Sequence, residues 1–307
     1  MSTLGRYRIE RLPWNSATAA DIMEAGRRRH HVAALVELDV TRARELLRSH
    51  HARTGRRLSF TGWLAHCTAQ ALIEHPELNV HRLGRWHEVR FEDVDVLIIV
   101  EREAGGARRP LPLVVRRANE KTVAEITDEL RAAQAEAIGA ERMVLDQNGS
   151  GHWLARVPKA AALYPLLPVW LRRAFWSMLA HDAFSAKRMM GTVGITAVGM
   201  MGRLPGWPLT VGEHTVDLAV GSVVKKPGAV GDQIAIREML ALTLLVDHDL
   251  VDGAPAARFA ARLGELIEQA SGLEERDEAA PDRPACDEPP PATSSVSNPP
   301  SSASASR

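Results

Sequence analysis

Apolar residues along the chain recur with two periods, one typical of β-strands and the other typical of α-helices. Short runs rich in Val, Ile and Leu, bounded by polar or glycine-containing turns, predict six strands. They lie at residues 31–40, 94–101, 111–118, 191–199, 215–224 and 238–248. The longer segments between several of them repeat their apolar positions every three or four residues. The pattern therefore favours an α/β or α+β fold in which helices cover a sheet.

Residues that typically begin or end helices mark four of these longer segments. Thr41 is predicted to be the N-cap of a helix over 41–54, and Ser59 the N-cap of a second helix. Thr122 begins a third helix, which Gly139 can close. The terminal helix has an apolar face made of Ala256, Phe259, Ala260, Leu263, Leu266 and Ile267.

The end of the chain differs in composition from the rest. Residues 274–307 are rich in Pro, Ser and Ala and nearly free of large apolar residues, so they cannot bury enough surface to offset the entropy of ordering. We predict an N-terminal extension at 1–26, one folded domain at 27–273 and a disordered tail at 274–307. The tail holds seven acidic and three basic residues, whereas the whole chain has 38 of each sign. The folded part is therefore only mildly basic, which argues against a nucleic-acid-binding protein.

Cysteine content and hydropathy exclude further classes of protein. The two cysteines, Cys67 and Cys286, are too few for a disulfide framework or a thiolate zinc site. No apolar stretch follows the basic residues near the N-terminus, so we predict no secretory signal. The most apolar window, 153–180, is interrupted by four basic residues and three prolines, so no transmembrane span is predicted. A cytoplasmic location is the simplest interpretation.

The segment with the most chemical information is the turn that follows the last predicted strand. His248 stands where this apolar strand ends, and Asp252 stands just before a helix that Pro255 helps to begin. A strand end holds an imidazole rigidly enough for a general base, and Asp252 can brace the turn through backbone amides or an arginine. The same spacing also fits a structural interpretation, in which His248 is an ordinary hydrogen-bonded polar residue and Asp252 an ordinary N-cap. A metal pair is improbable because Gly253 and the proline oppose a continuous helix and no third ligand is nearby.

Several motifs, in the same order, resemble the catalytic domain of the dihydrolipoyl acyltransferases, the core component of 2-oxoacid dehydrogenase complexes. The His-x-x-x-Asp-Gly turn, followed by Ala-x-Ala-Ala-Arg-Phe, is similar to the signature of that family, and the chloramphenicol acetyltransferases share the turn and the fold. Four further segments resemble the family: 31–41 ending in Asp-Val-Thr, Leu-Ser-Phe at 58–60 with Pro-Glu-Leu-Asn at 76–79, 111–123, and Gly-Thr-Val-Gly-Ile-Thr-Ala-Val-Gly at 191–199. The resemblance implies an α/β (α+β sandwich) fold with a mixed sheet covered by helices.

The same resemblance implies an acyltransferase that uses acyl-CoA or coenzyme A as substrate. His248 would remove the proton from an acceptor thiol, hydroxyl or amine that attacks a thioester carbonyl. Thr196 matches the position of the family's serine, whose hydroxyl stabilises the oxyanion, a contact that contributes roughly 3 kcal/mol to the transition state. In relatives these two residues come from adjacent subunits, so the resemblance also implies a homotrimer or a higher assembly of trimers.

Two substitutions depart from the family pattern. The usual Arg after the catalytic histidine is Asp249, which reverses a charge beside the base and favours a raised imidazole pKa. The Asn after the oxyanion residue is Ala197. Because of these departures, a non-catalytic trimeric scaffold or interaction protein of a 2-oxoacid dehydrogenase-type complex is an alternative, and a small-molecule O-acetyltransferase is another.

The composition departs from the family as well. None of the five lysines follows an Asp, as the lipoyl lysine of full-length relatives does, so we expect no lipoyl lysine in this chain and an acceptor supplied in trans, such as a lipoyl domain or a dehydrogenase subunit. An apolar and basic insertion at about 149–190 is interpreted as a core or subunit-packing element, or else as a lid or a docking face for a protein or a membrane surface.

Overall fold

The computed structural model describes residues 6–10, 16–104, 107–136, 164–199 and 205–274. The helices are α1 (Ser16–Gly26), α2 (Thr41–Thr54), α3 (Phe60–Glu74), α4 (Val123–Ala135), α5 (Val169–Ala180), α6 (Ala183–Met190) and α7 (Gly253–Glu268). The strands are β1 (His31–Asp39), β2 (Val80–Leu83), β3 (His87–Arg90), β4 (Val96–Ala104), β5 (Ala107–Val115), β6 (Val193–Ala197), β7 (Val216–Val230) and β8 (Gln233–Asp247). Short 3₁₀ turns occupy Ala118–Glu120 and Tyr164–Leu166.

Six strands form one mixed sheet in the order β1-β8-β7-β6-β4-β5, and β2 with β3 forms a separate hairpin. β6 is parallel to both of its neighbours, β4 and β7, whereas the other pairs are antiparallel. The six strands predicted from the apolar runs are the six strands of this sheet. The predicted α/β class, with a mixed sheet covered by helices, is confirmed.

The hydrophobic core lies between one face of the sheet and the helices α3, α4 and α7. Alternate residues of the central strands point into it, and Trp63 of α3 and Phe259 of α7 are fully buried there. The indole Nε1–H of Trp63 donates to the carbonyl of Ser271 at 2.9 Å, which ties the end of α7 to α3. The apolar face predicted for the terminal helix is therefore the face that packs on the core.

The helix caps follow the prediction at two positions and depart from it at one. Ser59 caps α3, and Thr122 forms a reciprocal capping box with Glu125 at the start of α4. Thr41 is not an N-cap, because α2 begins at Thr41 itself. Its amide and its hydroxyl both donate to a carboxylate oxygen of Asp39, at 2.9 and 2.6 Å, so the aspartate two residues earlier satisfies the first amide of α2.

Several predicted features lie wholly or partly outside the described residues. These are the helix end at Gly139, the first part of the insertion and the tail beyond residue 274. The sequence reasoning assigned no element to two described segments, helix α1 and the β2–β3 hairpin. In the described part of the chain, no helix is long and apolar enough to cross a bilayer.

Candidate active site

The turn that carries His248 is held from beneath by a buried carboxylate. Asp247, the last residue of β8, is only 2% exposed in its side chain and accepts a hydrogen bond from Arg29 Nη1 at 3.1 Å. Its other carboxylate oxygen accepts the amide of Asp249, and its carbonyl accepts the amides of Leu250 and Val251, each at 3.1 Å. The turn is therefore fixed by four hydrogen bonds to one residue.

His248 lies on the surface of this turn. Its amide donates to the carbonyl of His30 at 3.0 Å, which ties it to the residue before β1, and its side chain is exposed. Asp252 occupies the N-cap position of α7, but its side chain is exposed and makes no capping hydrogen bond. In the described residues the brace expected from Asp252 comes instead from Asp247 and Arg29.

Asp249, the residue that departs from the family pattern, has cationic or titratable neighbours. Its carboxylate lies 2.9 Å from His30 Nδ1 and 3.8 Å from the guanidinium of Arg82 on β2. The charge reversal beside His248 is thus compensated locally. The arginine comes from the hairpin that the sequence reasoning had not identified.

Thr196 lies on β6, far from His248 of the same chain. Val193 and Ile195 point into the core, so Thr196 faces the opposite side of the sheet. The strand register places it in one row with Ala219 and Thr243. Since His248 follows Thr243 by five residues and two strand spacings separate β6 from β8, the two Cα atoms are roughly 19 Å apart. A single chain does not bring the two predicted catalytic residues together.

A buried polar cluster lies beside the same turn. His214 Nδ1 lies 2.7 Å from Asp217 Oδ1, and His214 Nε2 lies 3.0 Å from the carbonyl of Met190. Both nitrogens face acceptors, which requires an imidazolium with two N–H donors. Burial lowers the pKa of His214, but the Asp217 carboxylate, together with Glu213 and the Met190 carbonyl, leaves the pKa raised. The carbonyl of His214 hydrogen bonds His31 Nε2 at 2.9 Å, which links the cluster to β1.

Two titratable residues next to this pair, Glu213 and His81, have shifted pKa values. Burial raises the pKa of Glu213 to about 7 and lowers the pKa of His81 to about 3. Gly194 of β6 leaves room for the pair, because a Cβ atom there would lie 2.2 Å from Asp217 Oδ1 and 2.8 Å from His214 Nδ1. The sequence reasoning missed this cluster. Its only signal was a Glu-His-x-x-Asp segment at the start of an apolar strand.

A cavity of about 140 Å³ opens between α1, α5 and the turn. Asp247 and Asp249 line it from the turn, and Arg28 and Arg29 line it from the segment between α1 and β1. The remaining lining residues are Asp21, Glu24, Ala25, Arg82, Arg173, Trp176, Ser177, Ala180 and His181. Five of these 13 lining residues belong to the insertion. Among the described residues, no group of three or more His, Cys, Asp or Glu side chains could hold a metal ion.

Comparison with known proteins decides the family. The family model described as "2-oxoacid dehydrogenases acyltransferase (catalytic domain)" matches residues 7–150 and 182–274, well over half of the chain. The chain belongs to this family. The predicted resemblance is thereby confirmed, and the first matched segment includes α1. Residues 151–181, which contain α5, fall between the two matched segments.

Curated relatives of the family share the same region. The dihydrolipoyllysine-residue acetyltransferase component of the Corynebacterium glutamicum pyruvate dehydrogenase complex is 26% identical over 263 residues, which are 83% of this chain and 32% of that protein. The corresponding component of Acholeplasma laidlawii is 37% identical over 94 residues, 29% of this chain and 17% of that protein. The chain thus spans about a third or less of the length of these relatives.

Solved structures of the family have the same fold. A probable dihydrolipoamide acetyltransferase from Listeria monocytogenes superposes with a TM-score of 0.58 at 20% identity, covering 90% of this chain and 99% of that one. The cubic core of a pyruvate dehydrogenase multienzyme complex gives a TM-score of 0.60 at 21% identity, covering 89% and 97%. These similarities establish the fold of the family for this chain.

Proposed function

We propose that this protein is an acyl-CoA-dependent acyltransferase in which His248 is the general base. A thiol acceptor such as a dihydrolipoyl group, supplied by another protein, would lose its proton to the imidazole as its sulfur attacks the thioester carbonyl. The new C–S bond forms, the bond to coenzyme A breaks when the tetrahedral intermediate collapses, and the proton passes from the imidazolium to the departing coenzyme A thiolate. The observation that carries the proposal is the exposed imidazole on a turn that Arg29 and Asp247 hold rigidly.

Thr196 is proposed to donate a hydrogen bond to the oxyanion from a neighbouring subunit. Within one chain it lies on the far face of the sheet, roughly 19 Å from His248. A threonine hydroxyl has the same donor as the family's serine, and such a contact contributes about 3 kcal/mol to the transition state. A homotrimer, with one site at each subunit interface, would be the smallest active unit.

Acyl transfer is tested with purified protein, acetyl-CoA and longer acyl-CoA thioesters, and dihydrolipoamide as the acceptor. Release of coenzyme A is expected, with a loss of at least about 10²-fold for His248→Ala and for Thr196→Ala. Transfer to a hydroxylated small molecule but not to dihydrolipoamide would favour the O-acetyltransferase alternative. Neither release of coenzyme A nor calorimetric binding of acyl-CoA would favour the scaffold.

Shared sites are tested by mixing the two inactive variants. When His248→Ala and Thr196→Ala chains are co-expressed with different tags and purified over both, random trimers contain some interfaces with an intact histidine and an intact threonine. Each mixed trimer then has one intact site out of three, so about a third of wild-type activity per site is expected. If the mixed trimers are as inactive as either variant alone, Thr196 does not act across the interface.

A further inference from the structure

The insertion carries an exposed apolar face outside the segments that the family model matches. It consists of Leu166, Leu167, Val169, Trp170, Leu171 and Met178, on α5 and the turn before it. Leu166 is 77% exposed and Trp170 is 70% exposed. All of these residues lie in the 151–181 segment that the family model leaves unmatched. We call this set the insertion face.

The orientation of α5 is fixed by its opposite side. Trp176 is buried, and its indole N–H donates to the hydroxyl of Tyr164 at 2.7 Å. That hydroxyl donates to Asp21 of α1 at 2.7 Å, and Arg172 lies 3.3 Å from the same carboxylate. Rotating α5 to hide the insertion face would break these contacts and leave a buried carboxylate without its partners. The apolar side chains therefore point outward in the folded chain.

The charge of the surrounding sequence is strongly one-sided. The described residues 164–190 hold four basic residues and a single acid, Asp182. Arg172 is engaged by Asp21 and Lys187 by Asp95, which leaves Arg173 and Arg188 exposed. The carboxylate of Asp182 is engaged by the amide of Phe184 and the hydroxyl of Ser185 at the start of α6. Arg173 is exposed on α5 and has no ion-pair partner among the described residues.

A second aromatic and basic pair lies at the tip of the β2–β3 hairpin, next to the end of α5. The β2–β3 hairpin contacts the end of α5, where the amide of Gly84 donates to the carbonyl of His181 at 2.7 Å. At the tip of this hairpin Trp86 is 84% exposed, and the guanidinium of Arg85 lies 5.8 Å from the centre of its ring. Exposed tryptophans next to arginines thus occur on two separate elements that meet at His181.

We propose that the insertion face and the hairpin tip bind the surface of an anionic phospholipid membrane, with α5 lying in the plane of the interface. Tryptophan and leucine on one side of a helix, flanked by arginine, are typical of helices that insert at the headgroup boundary, and each basic residue adds attraction to anionic lipid. A two-fold contact of this face with a second copy is disfavoured, because it would bring the excess positive charge of both copies together. Burial of the face within the proposed trimer is an outcome of the test.

The test is co-sedimentation of the full chain with vesicles of phosphatidylcholine alone and of phosphatidylcholine with 30 mol% phosphatidylglycerol, a composition on the order of natural anionic leaflets. Binding is expected only to the anionic vesicles, and it should weaken as salt is raised. Replacing Trp170 and Leu166 with Ala should reduce the partition coefficient about 10-fold or more. Arg173→Gln should reduce it about 5-fold.

A matched control is Ile234→Ala, which removes an 82% exposed apolar side chain from the β7–β8 hairpin, outside the insertion face. It should bind vesicles like the wild type, and thermal unfolding should show that all variants remain folded. Binding to both kinds of vesicle alike, binding to neither, or equal binding of all variants would overturn the proposal. So would a concentration-dependent increase in mass that the Trp170 variant abolishes, which would make the face an interface between copies. None of these measurements depends on acyl transfer.

Discussion

Replacing Arg29 with Met tests whether one ion pair holds the turn of His248. The side chain of Asp247 is 2% exposed and that of Arg29 is 14% exposed, so removing the guanidinium leaves a buried carboxylate with only the amide of Asp249 as a side-chain partner. Breaking a buried pair in this way costs about 3 kcal/mol. For a domain of this size that corresponds to a decrease in Tm of roughly 6–12 °C.

The neighbouring arginine provides the matched control. Arg28 lies 3.9 Å from Glu24 in a pair whose side chains are 57% and 39% exposed, so Arg28→Met should lower the free energy of unfolding by no more than about 0.5 kcal/mol. Urea unfolding followed by circular dichroism measures both variants, and Arg29→Lys should recover part of the loss.

A double-mutant cycle separates the ion pair from other effects of the substitution. Once Asp247 is changed to Asn, Arg29→Met should cost much less than it does in the wild type, because the two side chains share one interaction. If the two single effects simply add, or if Arg28→Met and Arg29→Met are equally destabilising, the ion pair does not hold the turn. In the active enzyme the same Arg29→Met variant should lower kcat.

Three other variants test features beside the site. Gly194→Ala should lower the free energy of unfolding by about 2–3 kcal/mol because its Cβ would overlap Asp217, whereas Gly253→Ala, which meets open space, should be nearly neutral in the same urea titration. Burial raises the pKa of Glu213 from 4.5 to about 7. The native state therefore binds a proton that the unfolded state has lost, and the free energy of unfolding should fall as pH rises from about 4.5 to 7. Glu213→Gln should remove this pH dependence in unfolding curves measured across the range. Thr122→Ala should cost about 1 kcal/mol by opening the capping box of α4, and a loss below the error of calorimetry would contradict that role.

Much of the fold was predictable from local pattern. The strands of the sheet are short apolar runs, and a buried strand shows this pattern wherever it pairs. Caps such as Ser59 depend on one side chain and the next three residues, so they were predictable as well. Helix α1 and the β2–β3 hairpin were missed because their apolar positions are few and their stability comes from contacts with distant segments, such as Tyr164 on Asp21.

In the candidate site, too, some features follow from local sequence and others only from the tertiary structure. The sequence by itself determined that His248 ends an apolar strand and begins a polar turn, since strand length and turn chemistry are local properties. The identity of the residue that braces this turn depended on the tertiary structure, because Arg29 and Asp247 are 218 residues apart and meet only when β1 pairs with β8. The separation of His248 from Thr196 was also decided by strand order and register, which place the two residues at distant positions on the sheet. Local pattern encodes the elements and their chemistry, whereas pairing between distant strands determines which of those groups can act together.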